Sequence, residues 1–187
     1  MKKSRTWIIF VLAGVLLVAA GLMLWGYNNA ESNRAFSESN RILPIIKETI
    51  NEDKDNKVIN VEGNDYMGYL SIESINLEVP VMRDWDYDKL EIAPCRQKGE
   101  VANGDLIIAG HNFKSQFGRL REIKSGDAIY FTDTKGNENL YNVVNIGVID
   151  EDSADRLNNS KYDLVLYTCT DSGKERVYVG AENLNLP

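Results

Sequence analysis

The stretch YDLVLYTCTDSGKERVYVG, residues 162–180, contains two apolar runs separated by a polar turn that includes Ser172 and Gly173. This pattern predicts a β-hairpin in which Cys169 ends one strand and Arg176 begins the next. Facing strands lie about 5 Å apart, so a long guanidinium can reach the neighbourhood of the sulfur. Most cysteines that end an apolar strand are buried structural residues, but a thiol beside a permanent cation is also a candidate nucleophile.

The N-terminal part of the chain has the composition of a membrane anchor. Residues 7–25 carry no charge, and as a helix they would span about 28 Å, close to the thickness of a bilayer core. Lys2, Lys3 and Arg5 precede this segment, which predicts a cytoplasmic N-terminus and an extracellular remainder. A cleavable signal peptide is the alternative, but its apolar core is usually shorter. We therefore expect a single-pass protein of the cell membrane.

The charge of the remainder limits its partners. Without the three basic residues of the tail, 18 basic and 28 acidic residues are left, a net charge near −10. An acidic exported domain is poorly suited to bind nucleic acid or an anionic surface. We expect neutral or cationic partners and no nucleic acid.

The distribution of polar and apolar residues predicts four parts. Between the anchor and the globular region lies a polar segment with weak helical spacing that is interrupted near Pro44. The predicted parts are a cytoplasmic basic tail (1–6), a transmembrane helix (7–27), a partly helical stalk (28–64) and a globular domain (65–187).

The globular domain is predicted to be all-β. Seven short runs of β-forming residues are separated by turns rich in Gly, Asn and Asp, with two short helical patches at 86–92 and 115–124. So many closely spaced strands favour a barrel or a sandwich. The predicted strands are 67–72, 77–82, 105–111, 128–132, 140–148, 164–169 and 177–182.

His111 is the only histidine, and it ends the apolar run at 106–109 as Cys169 ends another. Proton transfer with a thiol near neutral pH needs a group that titrates there, and a histidine has that pKa. In a barrel, both strand ends could open on one rim. One histidine and two cysteines provide poorly for zinc, so His111, Cys169 and Arg176 together fit nucleophilic catalysis better.

Two further features are predicted to be structural or to lie on the solvated surface. Cys95, within Pro-Cys-Arg, is predicted to be a structural residue in a loop, although a bridge to Cys169 would also be open to an exported protein. The acidic run at 150–155 is typical of solvated surface. Calcium binding there is the alternative, and no other cofactor is expected.

The order of these features resembles the sortases of Gram-positive bacteria over residues 67–182. An anchor and a β-domain are followed by Ala-Gly-His ending at His111, by Leu-Tyr-Thr-Cys ending at Cys169, and by Arg176 after six residues. The family signature is Thr-Leu-x-Thr-Cys, and here Val165 stands in place of the first threonine.

The resemblance implies a closed eight-stranded barrel with a groove for a Leu-Pro-x-Thr-Gly-like (LPxTG-like) sorting signal. Cys169 would attack the threonine carbonyl, His111 would move the proton and Arg176 would bind the oxyanion. The resulting thioester would pass to a cell-wall peptide amine, as in anchoring enzymes of class A or D. The alternatives are a pilin-polymerising sortase, a cysteine hydrolase and a non-catalytic wall-binding module.

Overall fold

The structure is a computed structural model that describes residues 6–53 and 57–185. Within these residues the fold comprises two α-helices and nine strands, with four 3₁₀ segments between them. In chain order the elements are α1 (Thr6–Glu52), β1 (Ile59–Val61), β2 (Asn64–Ile72), β3 (Leu77–Met82), α2 (Tyr87–Leu90), β4 (Cys95–Lys98), β5 (Leu106–Ala109), β6 (Ala128–Asp133), β7 (Glu138–Asp150), β8 (Leu164–Cys169) and β9 (Glu175–Asn183).

Eight of the strands close into a barrel. The order is β2-β3-β4-β5-β8-β9-β7-β6, and pairing of β2 with β6 closes the ring. The short β1 pairs with the first residues of β2. The closed eight-stranded barrel that the family resemblance implied is confirmed.

The barrel interior is an aliphatic and aromatic core. Alternate residues of β5, β8 and β9 point inward, as period-two side-chain alternation requires. Their intervening residues lie on the outer face, where two smaller apolar clusters form. Fully or almost fully buried interior residues include Leu70, Ile72, Leu106, Ile108, Phe131, Tyr141, Leu164, Leu166, Val177 and Val179.

The helix α1 is continuous through Pro44, so the predicted interruption there is wrong. A proline inside a helix costs roughly 3 kcal/mol. Packing on the barrel outweighs that cost, because the buried side chains of α1 lie on both sides of the proline. The apolar ones are Ala35, Ile42, Leu43, Ile46 and Ile50.

Ion pairs at the edges of this contact add to the apolar packing. Arg41 pairs with Glu62 and Lys47 with Glu78, each at 2.6 Å. The segment predicted as a polar stalk is therefore helical in its N-terminal part, and that part packs against the barrel wall from about residue 35. The four-part division itself stays a prediction.

The first half of α1 is a candidate membrane span. Its most apolar 18-residue window has a mean hydropathy of 2.7, and none of that window is buried inside the protein. Large side chains such as Phe10, Leu17 and Met23 are three-quarters exposed, as expected for a surface that contacts lipid.

All seven predicted strands are present, and β1 and β4 were not predicted. The assignment of Cys95 to a loop is wrong, because Cys95 begins β4 and pairs with Met82 of β3 and Ala109 of β5. Of the two predicted helical patches, 86–92 contains α2. The patch 115–124 contains only the 3₁₀ turn Leu120–Glu122.

Candidate active site

The hairpin of β8 and β9 brings Cys169 opposite Arg176. The two residues are direct partners in the antiparallel ladder, and every pair from Leu164–Ala181 to Cys169–Arg176 is in register. Directly opposed residues project from the same face of a sheet. Because Leu164 and Leu166 point into the core, alternation places Cys169 and Arg176 on the outer face.

The turn that joins these strands is closed by its own hydrogen bonds. The Thr170 amide donates to the Glu175 carbonyl at 2.9 Å, and the Gly173 amide donates to the Thr170 carbonyl at 2.9 Å. Gly173 has a φ of +72°, a conformation that favours glycine. The turn thus fixes the ends of both strands.

Strand β5 brings His111 to the same rim. β5 runs parallel to β8 with Ala109 paired to Tyr167, and the Gly110 amide donates to the Tyr167 carbonyl at 3.1 Å. His111 and Cys169 each follow this last pair by two residues, so both lie at the same end of the two adjacent strands. The three predicted site residues therefore lie at one end of three neighbouring strands. His111 follows β5 by two residues, Cys169 is the last residue of β8 and Arg176 is the second residue of β9.

A compact turn holds the backbone of His111. Its amide donates to Oε1 of Gln116 at 2.8 Å, and its carbonyl accepts from the Phe117 amide at 3.0 Å. Gln116 is fully buried and donates through Nε2 to the Leu90 carbonyl at 3.0 Å. A side chain at Gly110 would collide with the Phe117 ring, so glycine is required there.

The imidazole of His111 is half-buried and stacks on Phe113, with ring centroids 4.8 Å apart. Burial lowers the pKa of His111, and the negative charges of Glu91 and Glu31 oppose that shift. Within the described residues, no side chain hydrogen-bonds the ring. Asn112, the adjacent amide, donates to Oδ1 of Asp171 at 3.4 Å instead.

Arg176 is largely buried and heavily hydrogen-bonded. Its side chain is 14% exposed, and Nη2 donates to Oε1 of Glu151 at 2.6 Å. Nη1 donates to the carbonyls of Gly173 at 2.8 Å and Glu175 at 3.2 Å. Glu151 follows the end of β7, so the guanidinium points towards the β7 side of β9. Within the described structure, the Nε–H group of Arg176 makes no hydrogen bond.

The two thiols differ in their surroundings. Cys169 is partly exposed, whereas Cys95 is completely buried, and both are free. Burial raises the pKa of Cys95 to about 12, which leaves it almost entirely protonated at neutral pH. Only Cys169 has the access that a nucleophile needs.

Within the described part of the chain, the side chains that commonly bind metals are not grouped. Among residues 6–53 and 57–185, no three His, Cys, Asp or Glu side chains lie close enough to hold a metal ion. Calcium binding by the acidic run at 150–155 stays a prediction.

The sequence did not single out Glu151, Gln116 or Phe113. Glu151 belongs to an acidic run that was interpreted as solvated surface, and its partner is 25 residues away. Only the register of β7 against β9, which pairs Ile149 with Arg176, brings it to the site.

A protein-family model and two curated proteins match this chain. The family model for the sortase domain matches residues 70–184. Sortase A of Bacillus anthracis is 27% identical over 146 residues, which cover 73% of this chain and 66% of that relative. Sortase A of Listeria monocytogenes is 28% identical over 167 residues, 81% of this chain and 70% of that relative. The chain thus spans about two thirds of the length of both.

A solved structure has the same fold. A sortase D5 transpeptidase from Clostridium perfringens superimposes with a TM-score of 0.65 at 24% identity, over 80% of this chain and 99% of that one.

Proposed function

The chain belongs to the sortase family, and from this premise we propose that it is a membrane-anchored cysteine transpeptidase. Its substrate is an LPxTG-like sorting signal, cleaved between Thr and Gly. Its acceptor is an amine of a cell-wall peptide. The observation that supports the proposal is the position of His111, Cys169 and Arg176 at the same end of three adjacent strands, with Cys169 directly opposite Arg176.

The first half-reaction forms a thioester. The thiolate of Cys169 attacks the threonine carbonyl carbon, so that a C–S bond forms and the carbonyl oxygen becomes an oxyanion. Arg176, opposite Cys169, supplies the hydrogen-bond donors for this oxyanion. As the oxyanion collapses, the C–N bond breaks and the imidazolium of His111 gives its proton to the leaving amine.

The second half-reaction reverses the roles. The acceptor amine attacks the thioester, neutral His111 takes its proton, a C–N bond forms and the C–S bond breaks. Because the imidazole has no orienting carboxylate within the described residues, the thiolate–imidazolium pair is a minor state, and we expect slow turnover.

The proposed location follows from α1. Its apolar half spans the cell membrane, the basic tail lies in the cytoplasm, and the barrel lies outside. Among sortases we favour the anchoring type of class A or D. We expect no cofactor, and addition of a calcium chelator to the assay tests the calcium alternative.

A labelled-peptide assay with the full chain in detergent tests the proposal. The chain is incubated with a panel of fluorogenic sorting peptides, with and without triglycine or diaminopimelate. We expect an acyl adduct on Cys169 by mass spectrometry and, when an amine is present, an amide product in place of the free acid.

The same assay separates the alternatives. An adduct that yields only acid in the presence of amine would indicate a hydrolase. No adduct with any peptide, together with wall binding that survives Cys169→Ala, would indicate a non-catalytic module.

A further inference from the structure

The acidic residue that holds Arg176 has no assigned part in the chemistry. Glu151 is the first residue of the 3₁₀ segment Glu151–Asn159, which connects β7 to β8. Its carboxylate accepts from Nη2 of Arg176 at 2.6 Å, and this is the one ion pair that Arg176 forms in the described structure. A charge-assisted hydrogen bond of this length fixes both partners.

The backbone fixes Glu151 in turn. β7 pairs with β9 up to Asp150 and Glu175, and the Glu151 amide then donates to the Lys174 carbonyl at 3.2 Å. The carboxylate therefore projects from a strand end that is hydrogen-bonded to the hairpin of Arg176. It is not carried on a free loop.

The far end of the same segment is also held. Leu157 is 5% exposed and packs on Ile107 of β5 and Val165 of β8. Lys98 donates to the carbonyl of Asn158 at 2.8 Å. The segment thus crosses the outer face of the barrel from β7 to β5, anchored at both ends, and Glu151 is its anchor beside the site.

The hydrogen bonds of Arg176 show which of its N–H donors are already used. Glu151 takes one N–H of Nη2, and two hairpin carbonyls take Nη1. Nε and the second N–H of Nη2 carry no bond within the described residues. These two donors are free for an oxyanion on the substrate bound to Cys169.

We propose that Glu151 is a positioning residue that holds the guanidinium of Arg176 through Nη2, so that Nε–H and the second Nη2–H are presented to the oxyanion. A free arginine side chain loses rotamer entropy when it is ordered. Because Glu151 holds the guanidinium before the substrate binds, the donors are already in place when the oxyanion forms. This inference rests on the proposed transpeptidase function.

Substitution of Glu151 tests the proposal in the full chain, with adduct formation on Cys169 as the measured step. We expect Glu151→Gln to lower the acylation rate constant about tenfold, the loss that corresponds to about 1.4 kcal/mol of transition-state stabilisation, with little change in peptide KM. Glu151→Asp, which keeps the charge, should restore part of the rate. Asp152→Asn removes one charge from the same segment and should have no effect.

A double-mutant cycle with Arg176→Lys shows whether Glu151 acts through Arg176. If it does, Glu151→Gln adds little further loss in the Arg176→Lys background, because the positioned group is already gone. Thermal unfolding of each variant in the same detergent shows whether the barrel itself is intact.

An unchanged or faster acylation in Glu151→Gln would overturn the proposal, as would fully additive losses in the cycle. The wild-type chain is measured first. If it forms no adduct, the proposed function fails. If it forms an adduct and Glu151→Gln behaves as wild type, only the role of Glu151 fails.

Discussion

Cys169 and Arg176 are direct partners at the last rung of the β8–β9 ladder. This register sets the guanidinium on the same face as the thiol, on the neighbouring strand. The backbone pairing sets this arrangement. A substitution of Arg176 that keeps the strand but changes the hydrogen-bond donors therefore tests the donors alone.

Replacement of Arg176 by lysine should slow acylation by about 10²–10³-fold, the usual cost of losing an oxyanion donor. Lysine keeps the charge but lacks the planar fork and the Nε donor. The rate of adduct formation on Cys169 measures the effect. Arg83→Lys, at an exposed arginine away from the hairpin, should retain the wild-type rate, and an equal loss there would point to a general charge effect.

The single histidine allows its titration to be followed directly by NMR. Because burial lowers the pKa of His111, its imidazole resonance should titrate below the usual value of about 6.5. Glu91 favours the imidazolium, so Glu91→Gln should move the pKa lower still. In the pH dependence of the acylation rate, the acid limb should also move to lower pH.

The control for this titration is Glu48→Gln. It removes an exposed carboxylate of α1 that lies 17 residues after Glu31. The pKa of His111 should not change in that variant. A pKa at or above the usual value in the wild-type chain would contradict the assignment of burial as the dominant cause.

The two thiols should differ sharply towards an alkylating reagent. In the folded chain at neutral pH, Cys169 should be modified and Cys95 should not, since Cys95 is fully buried and its pKa is raised to about 12. Peptide mass spectrometry locates the label. In denaturant both should react, and fast labelling of Cys95 in the folded chain would show that β4 opens.

The contact of α1 with the barrel should contribute measurably to stability. Ile46 is fully buried at this contact and its neighbour Ile45 is 39% exposed. Ile46→Ala should lower the free energy of unfolding by about 2–5 kcal/mol, the range for a buried isoleucine truncated to alanine. Ile45→Ala should cost much less. Denaturant unfolding of both variants in one detergent provides the comparison, and equal costs would mean that the helix does not rest on the barrel in solution.

The sequence predicted most of the barrel because its long strands carry strong local patterns. Leu77–Met82 and Leu164–Cys169 were predicted with the bounds that the structure has. β4 was missed because its four residues, CRQK, bury only Cys95 and therefore show no alternation. α1 was predicted to break at Pro44 because local propensity says nothing about the packing that keeps the helix continuous.

The predicted site shows the same division. His111, Cys169 and Arg176 could be predicted as a site because each stands close to the end of a recognisable strand and because the family signature groups them. Glu151 could not be found, since its role depends on the pairing of β7 with β9 across 25 residues of chain. In the local sequence, Glu151 is only one of several carboxylates in an acidic run.

The continuous helix α1 has a consequence for how the proposed transpeptidase would meet its substrates. With its apolar half in the bilayer, as proposed, the helix continues without a break to the barrel wall, where Ala35 is buried. From Trp25 to Ala35 the helix rises about 15 Å. In the proposed arrangement, this helical segment would hold the barrel close to the membrane surface. We therefore expect that the proposed sorting signal and acceptor amine must both be present near that surface for transfer to occur.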